Sequence, residues 1–252
     1  MTVVLAYRER DTQNGNYAWI ASDSCASDAI NQSVVKNAKV FHPVGRRDIL
    51  IGCAGTFRLP NLLKYVPGIF PPEEELATDD IDMGYLINEF TPIMQALTED
   101  FEDDDAWEML IAVGDRIYRM QMDLSIIEPA DDCDSIGIGG PVALGAFKVL
   151  NELEPEMPVM ARMKHALKVA CASCKGCSPP FSIMRTEQIP QEILAKIPKH
   201  VPTSSYDIIR NPDEEIDPNV LAEALNQVSD NTNKKEKNQK KKDRNRKHKR
   251  KK

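Results

Sequence analysis

A threonine directly behind the first methionine opens an apolar run, Met1-Thr2-Val3-Val4-Leu5-Ala6-Tyr7. Removal of Met1 would leave a free α-amine one carbon away from the carbon that bears the hydroxyl. Such an amine titrates near pH ~8 and can take the hydroxyl proton, so one residue supplies nucleophile and base together. Methionine is usually trimmed before a residue as small as threonine. Threonine in second position is also common without any chemistry, so its meaning depends on the company it keeps. Three residues are candidates for that company: Asp23 in Ala21-Ser22-Asp23-Ser24-Cys25-Ala26-Ser27, Lys39 in Asn37-Ala38-Lys39-Val40-Phe41, and Gly55 in Ile51-Gly52-Cys53-Ala54-Gly55-Thr56. Each has an ordinary explanation as well: Asp as a turn former, Lys as a solvated surface residue, Gly at a bend. A separate set, Cys171-x-x-Cys174-x-x-Cys177, has the spacing of an iron–sulfur or zinc run. It lacks a clear fourth ligand, with Cys133 or His165 the available choices, and a helix end carrying small buried thiols is the simpler reading.

The elements that must position these residues follow from hydrophobic periodicity. Residues 2 to 8 and 17 to 22 read as strands, joined through the Asn-Gly signal of Gln13-Asn14-Gly15-Asn16. A second pair is predicted at 39–42 and 48–53, and a third at 107–113 and 116–122 around Gly114-Asp115. Between them, helices are predicted over Leu59 to Tyr65 and over Tyr85 to Leu97. The second has its apolar positions at Leu86, Ile87, Phe90, Ile93, Met94 and Leu97. Short apolar runs at 126–127 and 135–136 precede Gly137-Ile138-Gly139-Gly140-Pro141, which leads into a helix ending near Leu153. A further helix runs from about Pro158 to Ala172, and a last strand from Phe181 to Met184. Strands, helices, strands, helices, strand is an α+β order and not the alternation of a doubly wound sheet. Two antiparallel sheets stacked face to face, with helices outside both, would bury all of these apolar faces.

At 252 residues the chain accommodates one large domain, expected over 1–205, and a tail. A linker with a possible short helix at Asn219 to Val228 is expected over 206–230, and a disordered basic segment over 231–252. The net charge of -7 conceals two opposite parts. From Lys234 to Lys252 there are thirteen Lys/Arg and two acids, so the remainder carries about -18 by the same formal count. Acid runs at Glu73-Glu74-Glu75 and from Glu99 to Asp105 flank the second predicted helix and read as solvated loops. No apolar stretch approaches the ~18 residues of a membrane span. The charges at Arg8 to Asp11 interrupt the first hydrophobic run too early for a secretory signal. A cytoplasmic protein is expected, without membrane partners, its six cysteines suiting a reducing compartment. The tail could hold nucleic acid by counterion release without reading sequence, or serve as a solubilising arm, or dock on acidic loops of neighbouring subunits.

Taken together and in this order, the Thr2, Asp23, Lys39 and Gly55 elements resemble the N-terminal-nucleophile hydrolases of the proteasome β-subunit and HslV type. The resemblance covers about residues 2 to 187. It rests on the hairpin, the Ser-Asp-Ser-x-Ala-Ser run, the sixteen-residue interval from Asp23 to Lys39, the Gly-x-Ala-Gly element and the later Ile-Gly-x-Gly-Gly-Pro. It implies a four-layer αββα sandwich and a threonine endopeptidase. In that scheme the Thr2 hydroxyl attacks a peptide carbonyl, Lys39 held by Asp23 makes the hydroxyl more acidic, and the Gly55 N–H meets the oxyanion. Ser27 matches a position whose backbone aligns an extended substrate as an added strand, and Cys53 a pocket-floor position.

Two positions depart from the family. A serine of its Gly-Ser-Gly is Ile138 here, and an acidic partner in the late helix falls on Ala172. Either Ser135, Ser173 or Ser178 replaces them or activity is low or absent. The resemblance further implies a homo-oligomeric ring, peptide or unfolded-protein substrates, and an ATP-dependent unfoldase. It requires no cofactor. It also offers another reading of the cysteine run, in which the backbone carbonyls of Cys171, Cys174 and Cys177 hold a structural sodium ion. The alternative function is a catalytically silent assembly or scaffold protein, associated with nucleic acid through its tail.

Overall fold

The computed structural model describes residues 2–11, 15–27, 32–34, 39–102 and 105–187, with Asp11, Ser27 and Gln32 described by backbone alone. The chain divides into units Met1–Ile197 and Pro198–Lys252. The second unit, with the predicted linker, short helix and basic segment, lies outside the described residues.

The first unit carries two antiparallel sheets. One contains β1 (Val4–Asp11), β2 (Gly15–Ser22), β10 (Cys133–Ile136) and β11 (Ser182–Arg185), in the order β10-β1-β2-β11. The other orders β5 (Val40–Phe41), β6 (Ile49–Gly55), β7 (Trp107–Val113), β8 (Arg116–Gln121) and β9 (Ile126–Ile127) consecutively. A small separate hairpin joins β3 (Cys25–Ser27) to β4 (Gln32–Val34). Helices α1 (Arg58–Tyr65), α2 (Met83–Tyr85) and α3 (Thr91–Thr98) lie in the first half, α4 (Gly140–Leu153) and α5 (Val159–Ser173) in the second.

Alternation along the strands fixes the layers, because successive side chains leave a strand on opposite faces. Val4, Ala6, Ala18 and Ile20 meet Val40, Leu50, Leu110, Ala112 and Ile117 between the sheets. Val3 and Leu5 face the other way and pack on Phe147, Met163 and Leu167 of α4 and α5. On the second sheet, Ile49, Ile51, Met109 and Ile111 pack against Leu59, Leu63, Phe90 and Met94 of the first-half helices. The result is the expected four-layer αββα sandwich. Strand β7 reads as an almost unbroken apolar run because both of its faces are covered.

Three details differ from the sequence reading. The first hairpin pairs Asp11 with Gly15, so Gly15 is the first residue of β2 and not part of the Asn-Gly turn expected there. The β3–β4 hairpin was not foreseen, being too short to show a periodicity. The helix expected over Tyr85 to Leu97 widens into a π-helical stretch, Leu86–Phe90, between α2 and α3. Pro92 accounts for this: it has no N–H to give and crowds the carbonyl four residues back. Thr91 donates its N–H to Leu86 O five residues earlier, and its hydroxyl bonds the same oxygen at 2.9 Å. The wider turn leaves Ile87 52% exposed, off the apolar stripe assigned to it.

A buried ion pair locks the loop between β5 and β6. Arg46 and Asp48 are both fully buried and bidentate, Nε to Oδ1 at 2.9 Å. Arg46 also donates to Pro71 O and Leu76 O, while the Thr78 hydroxyl donates to Asp48 Oδ2 at 2.7 Å. Truncation of one partner strands the other charge in the interior. Arg46→Ala is therefore expected to lose about 3–5 kcal/mol in urea unfolding, and the apolar pair Arg46→Met with Asp48→Leu to recover most of it.

Candidate active site

Antiparallel pairing of Val4 with Ser22 places the residue before β1 next to the residues after β2. The Asp23 N–H donates to Val3 O at 3.3 Å, and the Val3 N–H donates to Asp23 Oδ1 at 3.1 Å. Asp23 Oδ2 accepts from the N–H groups of Cys25 at 3.0 Å and Ser178 at 3.2 Å. With no solvent exposure, this carboxylate has three main-chain donors and one cation. The cation is Lys39, just ahead of β5, whose carbonyl accepts from Cys53 N and so fixes it to β6. Its Nζ lies 2.8 Å from Asp23 Oδ1 and 2.8 Å from Thr2 Oγ1. The Phe57 ring centroid is 6.0 Å away from the same nitrogen.

Thr2, Lys39 and Asp23 thus form a continuous buried chain of contacts, with Thr2 4% and Lys39 2% exposed. An ammonium donating to a hydroxyl favours its deprotonated form, and burial strengthens the effect by excluding water. The Thr2 backbone is held as firmly as its side chain. Gly139 N–H donates to Thr2 O at 3.2 Å. Gly137 has φ +79°, and a Cβ there would lie 2.4 Å from Thr2 O, so the loop closes over Thr2 only because Gly137 has no side chain.

Gly55 is the last residue of β6, opposite Trp107. Its φ is +104°, and a Cβ would come within 2.1 Å of Ala106 O. Gly55 and Thr2 line the same cavity of about 560 Å³, together with Trp107, Glu108, Asp123 and Ile138. The structure therefore brings Thr2, Asp23, Lys39 and Gly55 to one place.

The remaining sequence candidates lie elsewhere or play other parts. Ser27 ends β3, with its backbone opposite Gln32. Cys53 is 2% exposed among Leu59, Leu63 and Met109 on the helix-covered face of β6, and is not among the residues lining the Thr2 cavity. Burial alone pushes its thiol well above the ordinary range. Ile138 is 58% exposed on the cavity wall. Ala172 lies near the end of α5 and lines a different cavity, with Lys168 and Pro180. Among the described residues no hydroxyl of Ser135, Ser173 or Ser178 bonds to Thr2; Ser178 contributes its N–H to Asp23 instead.

The three clustered cysteines straddle the end of α5. Cys174 N–H donates to Ala170 O at 2.8 Å, and Cys177 N–H approaches Cys174 O at 3.5 Å. Cys177 is buried against Val3, and burial pushes its thiol up to about 12 and that of Cys171 up to about 11. Among the described residues no three His, Cys, Asp or Glu side chains converge on a point that could hold a metal. Cys171 lies in the last turn of α5, where backbone oxygens lack intrahelical partners and carry partial negative charge, while Cys174 is the C-cap and Cys177 lies beyond the helix.

The sequence matches no protein-family model and no curated protein. Comparison of structures does find similar folds. Thiobacillus denitrificans BPH, in its complex with epoxomicin, aligns with TM-score 0.57 and 16% identity over 74% of this chain and 100% of that one. Eukaryotic HslV from Trypanosoma brucei aligns with TM-score 0.54 and 16% identity over 74% of this chain and 100% of that one. Anbu, an ancestral beta-subunit from Yersinia bercovieri, aligns with TM-score 0.52 and 15% identity over 73% and 81% respectively. The chain therefore shares the fold of HslV, BPH and Anbu, a four-layer αββα sandwich of two antiparallel sheets between helices.

Proposed function

We propose that the chain is a threonine-type endopeptidase subunit whose nucleophile is Thr2 once Met1 is removed. The observation that carries this reading is the 2.8 Å contact of Lys39 Nζ with Thr2 Oγ1, backed by Asp23. Thr2 Oγ1 adds to the scissile carbonyl carbon while the Thr2 α-amine, directly or through water, takes its proton. Lys39 stabilises the oxygen as it loses that proton. The Gly55 N–H donates to the developing oxyanion, a contact worth about 3 kcal/mol of barrier where such donors have been removed. Collapse breaks the C–N bond, and the proton held by the amine passes to the departing amine. Water then adds to the ester on Thr2, gives its proton to the same α-amine, and releases the acid.

Other parts of the proposal rest on the resemblance and on charge. Ring assembly is supported by large apolar side chains left open on α4 and α5: Val149 at 54%, Leu153 at 70% and Met160 at 52% exposure. An unfoldase partner, the alignment role of Ser27, the pocket role of Cys53 and a sodium ion on the carbonyls of Cys171, Cys174 and Cys177 belong to the same proposal. The +11 segment from Lys234 to Lys252 would carry any contact with nucleic acid. Among the described residues no helix is long and apolar enough to cross a membrane. A second reading, an assembly or scaffold protein without activity, is favoured by Ile138 and Ala172, neither of which offers a side-chain hydrogen bond.

Cleavage of internally quenched peptides, followed against pH, tests the proposal. Because the base must be neutral to accept a proton, the rate is expected to fall about tenfold per pH unit below the pKa of the α-amine, near ~8, and to level above it. No cleavage at any pH by protein that begins at Thr2 would favour the scaffold.

A further inference from the structure

We propose that the Thr2 cavity selects peptides carrying a lysine or arginine side chain beside the scissile bond, with Glu108 and Asp123 as the recognising groups. The word scissile rests on the peptidase reading above. The recognition itself rests on what lines the cavity. Apart from the α-amine of Thr2 itself, its ionisable lining groups among the described residues are Glu108 and Asp123, both carboxylates. Glu108 is partly buried on β7, where Gly137 N–H approaches Oε2 at 3.5 Å, and among the described residues it has no cation within ion-pairing distance. Asp123 is exposed just past β8, where it accepts from the Ser125 N–H at 3.0 Å and from the Ser125 hydroxyl, and among the described residues it has no cation within ion-pairing distance.

Nearby positive groups are committed elsewhere. Lys39 is held by Asp23 and Thr2. Arg119 turns its Nε to Asp134 Oδ2 at 3.4 Å. Arg58 donates to Asp100 O and lies 4.6 Å from the Phe101 ring centroid. Burial, with the negative charge of Glu108 adding to it, already holds the Asp134 carboxyl above its usual range. Within the cavity, the charges of Glu108 and Asp123 would oppose an anion and favour a cation.

Among the described acids, Asp105 gains a role on this account. It leads directly into Ala106 and Trp107, which form part of the cavity wall. Negative potential converging on a cleft raises the local concentration of cationic ligands and steers their approach. The unpolarised parts of the cavity, Trp107, Met122 and Ile138, suit the four-carbon stem of lysine, whose charge can remain near the rim.

The test uses full-length protein carrying Thr2→Ala, so that binding is read without turnover. Fluorescent apolar peptides with a single Lys, Gln or Glu walked through successive positions are compared by anisotropy. At one position Lys is expected to bind on the order of tenfold more tightly than Glu, with the gap narrowing as salt is raised. Glu108→Gln with Asp123→Asn keeps the hydrogen-bonding shapes while removing both charges, and should collapse the gap. A preference for Lys that is the same at every position, or that survives the double substitution, would overturn the proposal, as would no preference. Cleavage by the unsubstituted chain is scored separately. Selective binding without cleavage would sink the peptidase reading alone, whereas cleavage without selectivity would sink this inference alone.

Discussion

Thr2→Ala is expected to abolish peptide cleavage, by a factor on the order of 10⁴ or more, while leaving the protein folded. Loss of a sole nucleophile removes the covalent path altogether, and the remaining oxyanion donor and binding contacts recover only a small part of the rate. The structural cost is small by comparison. Lys39 keeps Asp23, and the Thr2 backbone keeps its bond from Gly139 N–H. One hydroxyl acceptor is lost, worth about 1–2 kcal/mol. Thr2→Ser preserves both amine and hydroxyl and is expected to retain activity. Equal loss in Ala and Ser variants would point to a packing role for the threonine methyl, with no chemistry attached to its oxygen.

The second large effect is at Asp23. Asp23→Ala orphans the N–H groups of Val3, Cys25 and Ser178 and leaves the Lys39 ammonium buried without its counter-charge. Breaking a buried pair costs roughly 3–5 kcal/mol, which lowers the midpoint of thermal unfolding by about 10 °C for a domain of this size. Lys39→Met is expected to behave differently. Asp23 still accepts three main-chain bonds, so stability falls less, while the charge next to Thr2 Oγ1 is gone and cleavage falls with it. Unfolding curves and cleavage rates measured on the two variants separate scaffold from chemistry. If Lys39→Met cleaved normally, the ammonium would have no part in activating Thr2.

The layers were legible in the sequence where short apolar runs were bounded by turn signals. Val3 to Tyr7 is apolar at every position because its two faces meet two different cores, and the Asn-Gly signal marked the neighbourhood of the first hairpin. Asp23 and Lys39 stood out through order and interval, since the ends of a hairpin and of the next strand pair can converge. What the sequence could not reveal were main-chain partners. Nothing in the identity of Ser178 says that its N–H will reach Asp23, 155 residues away. Gly137 and Gly139 stand in a legible motif, yet their hold on the Thr2 carbonyl depends on a close approach that exists only in the folded chain. Glu108 was hidden for another reason: on β7 it is one polar position in an apolar run, and its cavity forms from strands distant in sequence. Pro92 was visible from the start, but a widened turn was not the default expectation for a helix.

The most direct measurement is mass spectrometry of protein that begins at Thr2 after exposure to an epoxyketone, a group that closes a ring only on a residue bearing both a free α-amine and a neighbouring hydroxyl. The account predicts one adduct per chain, mapped to the peptide starting at Thr2, and its loss in Lys39→Met. An unlabelled Thr2 with a demonstrably free amine, or labelling at any other residue, would contradict it.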